Sequence, residues 1–383
     1  MRILLLLAFA FFLKTTNAQP LLGRTTGRLP YLNFGLGEDR LGGAKMTFLD
    51  SNVLLKVVDS SKGDYKVQLS AQHAAYLPKS AFRRDDSAKI LPMYLTGSWR
   101  VWGDSLADYV SIGLPEKLPY RSLQQVEPSR IVVDIFGAVS NTNWITQLKT
   151  VKEIKNVWYE QTEDDVFRVF IELKNKQHWG HAITYRGNAL VVKVKRQPEK
   201  LKLKHLKIAV DAGHGGAQTG ASGLTSKVLE KDYTLKIAKE LEAALCKKGV
   251  EVVMTRCDDT DVSMASRLQR LNEEAPDLLL SIHLNSAGNK AAKGTSTYYR
   301  HIGFRPLSVA VLDRMLELGL HNFGNIGAFN FSLSGPTEYP NCLVEVAFLS
   351  NAEDEQRILD PQFHKEVAKK IVKGVEDWLK SMR

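Results

Sequence analysis

The chain has 383 residues, which is too long for one ordinary domain and about right for two or three. Hydrophobic residues make up 44% and charged residues 25%, a globular composition that excludes an intrinsically disordered chain. The formal net charge of +10 favours anionic partners. No run of Lys and Arg is interleaved with aromatic residues, so we predict no nucleic-acid partner.

The first 18 residues predict the compartment. Arg2 gives a basic start, residues 3–13 form an apolar run, and the Thr-Asn-Ala at residues 16–18 supplies a cleavage site. The apolar run is too short to span a bilayer, so residues 1–18 are typical of a secretory signal peptide. Because no other stretch is long enough for a membrane helix, we expect an exported protein without an integral membrane segment after signal cleavage.

Residues 27–86 contain short apolar segments such as residues 53–58 and 65–69, and turn-forming residues 59–64 separate these two. Short strands with turns between them indicate a small all-β domain. Together with the Ala-Tyr-Leu-Pro at residues 75–78, the segment resembles a bacterial Src-homology-3-like domain.

A second β-rich domain is predicted over residues 95–196. Residues 130–136 form a strand that stops at Gly137, and residues 167–173 and 188–194 add further strands. This part resembles an AMIN domain, a β module that accompanies some cell-wall amidases and helps to place them on the wall. The alternative is a β scaffold that only spaces the C-terminal half from its surroundings.

Residues 197–205 are rich in Lys, contain one Pro and predict a linker. In residues 206–383 short apolar strands alternate with helical patterns. The predicted strands are residues 206–210, 250–254, 278–282 and 343–348, and the predicted helices are residues 233–245, 265–272, 307–320 and the segment from 367 to 378. This alternation predicts a three-layer α/β domain with a mostly parallel sheet.

Two histidines of this α/β domain come at the ends of predicted strands. His214 lies in a glycine-rich loop after the strand that ends near Val210, and His283 follows the strand at residues 278–282. Ligands of open α/β sheets bind beyond the carboxyl ends of the strands, so both histidines fall where a site would form. Taken alone, a loop histidine is more often structural or solvated than a ligand.

Two carboxylates complete the candidate site. Glu230 comes just before a helix predicted to begin near Tyr233; a role in complementing the helix dipole is the simpler explanation, although a helix start also suits a metal ligand. Glu345 interrupts the apolar strand at residues 343–348. Burial would raise the pKa of Glu345 toward the range of a general acid or base, which favours a catalytic role. The alternative is a structural role, in which Glu345 forms a buried ion pair.

The four residues in this order and context resemble the zinc-dependent N-acetylmuramoyl-L-alanine amidases, peptidoglycan hydrolases of the cell-separation type. The resemblance covers about residues 205–380 and rests on residues 210–216, 229–232, 254–256, Arg267, 281–285 and 343–351. It implies that His214, Glu230 and His283 bind zinc and that Glu345 is the catalytic residue. It also implies structural roles for Arg256 and Arg267.

The resemblance implies hydrolysis of the amide between N-acetylmuramic acid and L-alanine, in cell-wall turnover or daughter-cell separation. The expected location is the periplasm, the expected partner is peptidoglycan, and a protein activator is a further partner that the resemblance allows. Two alternatives stay open at this point: a zinc peptidase that cuts the stem peptide, and a non-catalytic peptidoglycan-binding or activator protein. The segment between His283 and Glu345 is short, so we expect no large autoinhibitory helix.

The three cysteines, Cys246, Cys257 and Cys342, fit no disulfide framework, since an odd number leaves at least one free thiol. None has the Cys-x-x-Cys spacing of a zinc site. We predict that all three are small buried apolar residues.

Overall fold

A computed structural model describes residues 21–37 and 43–383. The predicted signal peptide at residues 1–18 lies outside these described residues. Within them, no helix combines the length and the apolar character that a membrane crossing requires.

The N-terminal part of the described chain consists of β-strands, with a single 3-10 turn at Lys79–Ala81 and no α-helix before the C-terminal domain. Its first region forms one seven-stranded sheet in the order β3-β2-β6-β5-β4-β1-β7. The strands are β1 (Leu21–Thr25), β2 (Tyr31–Asn33), β3 (Lys45–Phe48), β4 (Leu54–Ser60), β5 (Asp64–Gln68), β6 (Ala74–Pro78) and β7 (Phe82–Arg84). Each pairing in this sheet is antiparallel, which requires only short connections.

The second β region contains a five-stranded sheet, β14-β9-β10-β18-β17, a four-stranded sheet, β11-β12-β16-β15, and the pair β13-β8. Its strands are β8 (Tyr94–Leu95), β9 (Trp99–Gly103), β10 (Ala107–Ile112), β11 (Tyr120–Val126), β12 (Ser129–Phe136), β13 (Ala138–Val139), β14 (Ile145–Gln147), β15 (Ile154–Glu163), β16 (Val166–Leu173), β17 (His181–Arg186) and β18 (Ala189–Lys195). Buried side chains of both β regions, among them Leu54 and Leu118, belong to one continuous hydrophobic cluster. The two regions therefore share a core.

The C-terminal part is a mixed α/β domain, as predicted. Its strands are β19 (Lys207–Ala212), β20 (Glu251–Met254), β21 (Leu278–Asn285), β22 (Thr295–Tyr298), β23 (Asn322–Ile326) and β24 (Asn341–Phe348). Its helices are α1 (Glu230–Cys246), α2 (Met264–Glu274), α3 (Arg305–Leu316), α4 (Ala352–Leu359) and α5 (Pro361–Ser381). The sheet order is β20-β19-β21-β24-β22-β23. The pairs β19–β20, β19–β21, β21–β24 and β22–β23 are parallel, and β22–β24 is antiparallel.

Helices cover both faces of this sheet. Successive residues of a strand point to opposite sides, so apolar residues that follow one another in β19 pack against helices on different faces. Ile208 and Val210 of β19 pack in the cluster that contains the buried faces of α1, α3 and α5. Ala209, between them, packs with Leu268 and Leu271 of α2 on the opposite face. The loops at the carboxyl ends of β19 and β21 are thus held between two helical layers.

Helix α1 begins at Glu230, so the predicted start near Tyr233 is wrong by one turn. Leu229 is still extended, with φ −99° and ψ 140°, and the first turn carries Glu230 and Asp232. The apolar pattern used for the prediction begins only after this polar turn. Glu230 is therefore fixed by the helix itself.

The second β region also packs directly against the C-terminal domain. The ring centroids of Trp179 and Trp378 are 5.0 Å apart, and Trp378 Nε1 donates a hydrogen bond of 3.0 Å to Gln177 Oε1. Leu201 and Leu203, in the predicted linker, are buried in the core of the α/β domain. Residues 197–205 therefore include side chains that join the core.

Replacing Trp378 by alanine is expected to destabilise the protein by about 3–5 kcal/mol, because the side chain is 1% exposed and its removal leaves a cavity and takes the Trp378 donor from Gln177 Oε1. The free energy of unfolding in urea measures this loss. Trp144, which is 63% exposed, is the matched control. Equal losses from Trp378→Ala and Trp144→Ala would show that the Trp179–Trp378 contact does not stabilise the protein.

The prediction that all three cysteines are buried is wrong for two of them. Cys342 on β24 is buried, whereas Cys246 and Cys257 are exposed, and all three are free thiols. Cys246 is the last residue of α1, on the side away from the apolar stripe of this helix. A small apolar residue at a helix end or in a loop does not have to be buried.

Candidate metal centre

Three of the four candidate residues converge at one point. The distance from His214 Nε2 to Glu230 Oε1 is 3.2 Å, and from His283 Nδ1 to the same oxygen it is 3.1 Å. One ligand atom from each residue lies within 4.8 Å of the others. The side chains come from positions up to 69 residues apart, so the fold assembles the cluster.

The three residues reach this point from separate elements. His214 lies two residues beyond the end of β19, His283 lies within β21 near its carboxyl end, and Glu230 is the first residue of α1. Since β19 and β21 are parallel neighbours, their carboxyl ends meet at the same edge of the sheet. The predicted strand 278–282 is longer in the structure and includes His283.

Glu230 is held rigidly and as an anion. Its Oε2 accepts a hydrogen bond of 2.8 Å from the Ala221 amide, and its Oε1 accepts one of 3.0 Å from the Leu284 amide. Burial would raise the pKa of Glu230, but hydrogen bonds from His214 and His283 hold this pKa well below its usual range. A buried carboxylate is thus kept charged at the centre of the cluster.

His283 shows the opposite shift. Burial would lower its pKa, but the hydrogen bond to Glu230 and the negative charges of Glu230, Glu345 and Asp211 raise the pKa to about 9. The pocket therefore favours positive charge. A divalent cation held there would satisfy the same preference and would take the place of the proton on His283.

The donor set fits a catalytic zinc ion. Two imidazole nitrogens and one carboxylate oxygen are the protein ligands of several catalytic zinc sites, in which a fourth position stays open. The side chains of His214 and His283 remain 24% and 18% exposed, so the cluster can be reached from solvent. His214, Glu230 and His283 could therefore hold a metal ion.

Glu345 lies beside the cluster and is not part of it. It sits on β24 directly opposite His283 of β21, and it is 8% exposed. Burial lowers the pKa of His283, but the hydrogen bond and charge of Glu230 outweigh it, and the charge of Glu345 adds a smaller contribution that raises this pKa. The arrangement places a nearly buried carboxylate next to the cluster of His214, Glu230 and His283, within reach of a group that would react there.

Gly213 belongs to the glycine-rich loop that carries His214, and its position explains why glycine is needed there. A Cβ atom at this position would lie 2.4 Å from Cε1 and 2.6 Å from Nε2 of the His283 ring. Glycine is therefore required here for close approach of the backbone to a metal ligand. Gly213 is the first residue of the Gly-His-Gly-Gly sequence at residues 213–216, and this glycine-rich pattern is the sequence signal for the close approach.

The change Gly213→Ala is expected to weaken metal binding, because the added methyl group must displace the His283 ring or the loop, at a cost of about 1–3 kcal/mol. Gly288→Ala is the matched control, since a Cβ there meets no atom within 4 Å. Titration with a competing chromogenic chelator measures both affinities. Identical affinities in the two variants would contradict the close approach.

An aromatic wall beside His283 was not predicted. The Phe331 ring lies 6.3 Å from the His283 ring at an interplanar angle of 24°, and it also contacts Tyr298 at 5.5 Å and Phe329 at 4.7 Å. Between the two phenylalanines, Asn330 Nδ2 donates a hydrogen bond of 3.0 Å to the Gly43 carbonyl oxygen, and the Lys45 amide donates one of 3.2 Å to Asn330 Oδ1. The first β region therefore supports one wall of the site.

Comparison with known proteins supplies the family context. Residues 208–377 match the family model described as N-acetylmuramoyl-L-alanine amidase, and residues 98–197 match the AMIN domain. A probable cell wall amidase of Staphylococcus aureus, LytH, is 38% identical over 180 residues, which are 46% of this chain and 60% of that protein. The chain thus spans about three fifths of the length of the curated relatives it matches.

Two solved amidase structures cover a similar share of the chain. The N-acetylmuramoyl-L-alanine amidase of Clostridium difficile 630 is 34% identical, with coverage of 46% of this chain and 98% of that one and a TM-score of 0.44. The catalytic domain of CwlV, an amidase of Bacillus (Paenibacillus) polymyxa var. colistinus, is 32% identical, with coverage of 46% and 99% and a TM-score of 0.44.

Proposed function

We propose that this chain, which belongs to the N-acetylmuramoyl-L-alanine amidase family through residues 208–377, hydrolyses the amide bond between N-acetylmuramic acid and L-alanine in peptidoglycan. The observation that carries the proposal is the convergence of His214, Glu230 and His283 at one edge of the sheet, with Glu345 beside them. This geometry fits metal-assisted hydrolysis of an amide.

The proposed cofactor is zinc, held by His214, Glu230 and His283. When bound there, Zn²⁺ supplies a Lewis acid that polarises a carbonyl oxygen and lowers the pKa of water. The backbone amides of Ala221 and Leu284 keep the Glu230 carboxylate oriented toward the two histidines. The chain therefore provides a ligand set that is already in place before metal binding.

Glu345 is proposed as the general base and then the general acid. Its carboxylate takes a proton from the attacking water and later delivers one to the nitrogen of the leaving L-alanine. Its nearly buried position on β24 removes it from bulk solvent, so the proton stays at the reacting centre. The ring of Phe331, next to His283, limits water on one side of the same centre.

The proposed organisation along the chain is a signal peptide at residues 1–18, a Src-homology-3-like domain predicted at 27–86, an AMIN domain at 95–196, a linker at 197–205 and a catalytic domain at 206–383. In the structure the sheet of the first domain also includes β1 (Leu21–Thr25), and Leu201 and Leu203 of the linker pack in the core of the catalytic domain. The AMIN match at residues 98–197 supports an exported enzyme that is held near peptidoglycan. We place it in the periplasm, where it acts in wall turnover or daughter-cell separation. A protein activator is part of this proposal.

Metal analysis combined with digestion of peptidoglycan tests the proposed class of protein. We expect about one zinc ion per chain and the release of soluble fragments from purified peptidoglycan. A chelator should stop this release, and added zinc should restore it. A chain that binds peptidoglycan but holds no metal and releases nothing would be a non-catalytic wall-binding protein. Release that persists after complete metal removal would contradict the metal-dependent mechanism.

A further inference from the structure

Arg256 is buried next to the candidate metal centre, and it forms no ion pair with a carboxylate of the described residues. It is 2% exposed, and in the described part of the chain no carboxylate oxygen lies within 4 Å of its guanidinium nitrogens. Its donors go instead to Ala212 O at 2.9 Å, Gly213 O at 2.9 Å, Lys231 O at 2.7 Å, Asp258 O at 2.9 Å and Thr234 Oγ1 at 3.2 Å. Because the Arg256 guanidinium group forms no ion pair there, its role is to donate hydrogen bonds to these backbone carbonyl oxygens.

The carbonyls that Arg256 holds adjoin two of the metal ligands. Gly213 immediately precedes His214, and Lys231 immediately follows Glu230. A single atom, Arg256 Nη2, donates to both carbonyl oxygens. The loop that carries one ligand is thereby tied to the helix turn that carries another, which fixes the separation of the two ligand backbones.

The loop needs such a restraint. His214 has φ +62°, in the left-handed region that costs a non-glycine residue about 1–2 kcal/mol. Arg267 donates to the Ala212 and His214 carbonyl oxygens, and Thr234 Oγ1 donates to the Gly213 carbonyl oxygen at 2.7 Å. Three successive carbonyls before and at His214 are thus held by buried donors.

Arg267 has a second role that Arg256 lacks. It forms a buried ion pair of 2.6 Å with Asp211, which also accepts hydrogen bonds from Thr255 and Ser281. Loss of Arg267 would leave the Asp211 charge buried and unpaired, which destabilises the whole domain. Arg256 is therefore the residue at which ligand positioning can be separated from stability.

We infer that Arg256 is a positioning residue of the metal centre, which holds the loop of His214 and the first turn of α1 at the separation that metal binding requires. The inference rests on the proposed function, because it assumes that His214 and Glu230 bind the metal. Lysine at position 256 keeps the charge, but a single ammonium group cannot bridge the same set of carbonyls. The expected effect of Arg256→Lys is a loss of about 10- to 100-fold in metal affinity.

The test uses the full exported chain with Zn²⁺ and Co²⁺ as probes. Competition with a chromogenic chelator gives the Zn²⁺ affinity, and the visible absorption of bound Co²⁺ reports the ligand geometry. Thermal unfolding of the metal-free proteins measures stability separately. We expect Arg256→Lys to show weaker binding and an altered Co²⁺ spectrum. Unchanged affinity and an unchanged spectrum would overturn the inference.

Two further variants keep the test decisive. Thr234→Val leaves Arg256 in place and removes the hydroxyl group that donates to the Gly213 and Lys231 carbonyl oxygens and accepts a hydrogen bond from Arg256. A smaller loss of affinity in the same direction is expected, and this variant replaces Arg256→Lys if that protein does not fold. Arg168→Lys changes an arginine paired with the buried Asp134 in the second β region, and it should leave metal affinity unchanged. Equal affinity in Thr234→Val and Arg168→Lys would overturn the inference. A wild-type chain that binds neither ion would instead overturn the proposed function itself.

Discussion

Replacing Glu345 by glutamine is expected to lower kcat on peptidoglycan by about 10²- to 10⁴-fold while bound zinc stays at the wild-type level. Glutamine has nearly the same shape but can neither accept the proton of water nor deliver one to the leaving amine. Because Glu345 lies outside the cluster of His214, Glu230 and His283, its replacement removes none of the proposed metal ligands. Fragment release and metal content are measured on the same preparation.

Glu172→Gln is a suitable control for this experiment. Glu172 is also a strand carboxylate, on β16, and it forms an ion pair with Lys155 far along the chain from the site. Its replacement should leave both turnover and zinc content unchanged. A Glu345→Gln protein that keeps wild-type turnover would remove Glu345 from the proposed chemistry.

Replacing His283 by alanine is expected to abolish stable zinc binding and, with it, turnover. The change removes one of three protein ligands and leaves the buried Glu230 without one of its two histidine partners. Zinc at 100 times its dissociation constant stabilises a folded protein by about 2.7 kcal/mol, so added zinc should raise the Tm of the wild type and not that of His283→Ala.

His205→Ala controls for the loss of an imidazole, because His205 is exposed just before the α/β domain and lies outside the cluster of His214, Glu230 and His283. It should keep the zinc-dependent rise in Tm. A His283→Ala protein that retains one zinc per chain after dialysis would show that the metal is bound elsewhere.

The positions of the two histidines were predictable from the sequence, because parallel strands bring their carboxyl ends together and both residues follow apolar strands. Glu345 was conspicuous for another reason, since it interrupts an otherwise apolar strand. The start of α1 was misplaced because its first turn is polar, so apolar periodicity begins one turn late. All of these features depend on the order of polar and apolar residues within one strand or helix, which can be read directly from the sequence.

The contacts between distant segments were not predictable in the same way. Asn330 meets Lys45 across 285 residues, and no periodicity marks either residue. Phe331, next to Asn330, contacts His283 only because this segment is held in place. The lack of space for a side chain at Gly213 depends on the position of the His283 ring. Such features arise from packing between elements, so they become visible only in the folded chain.

Mass spectrometry of the products from purified peptidoglycan tests the central proposal most directly. The proposal predicts glycan strands that retain intact N-acetylmuramic acid with a free lactyl carboxyl group, and peptides that begin with a free L-alanine amino group. Glycan strands that still carry L-alanine, together with new termini inside the stem peptide, would contradict it and would indicate a peptidase.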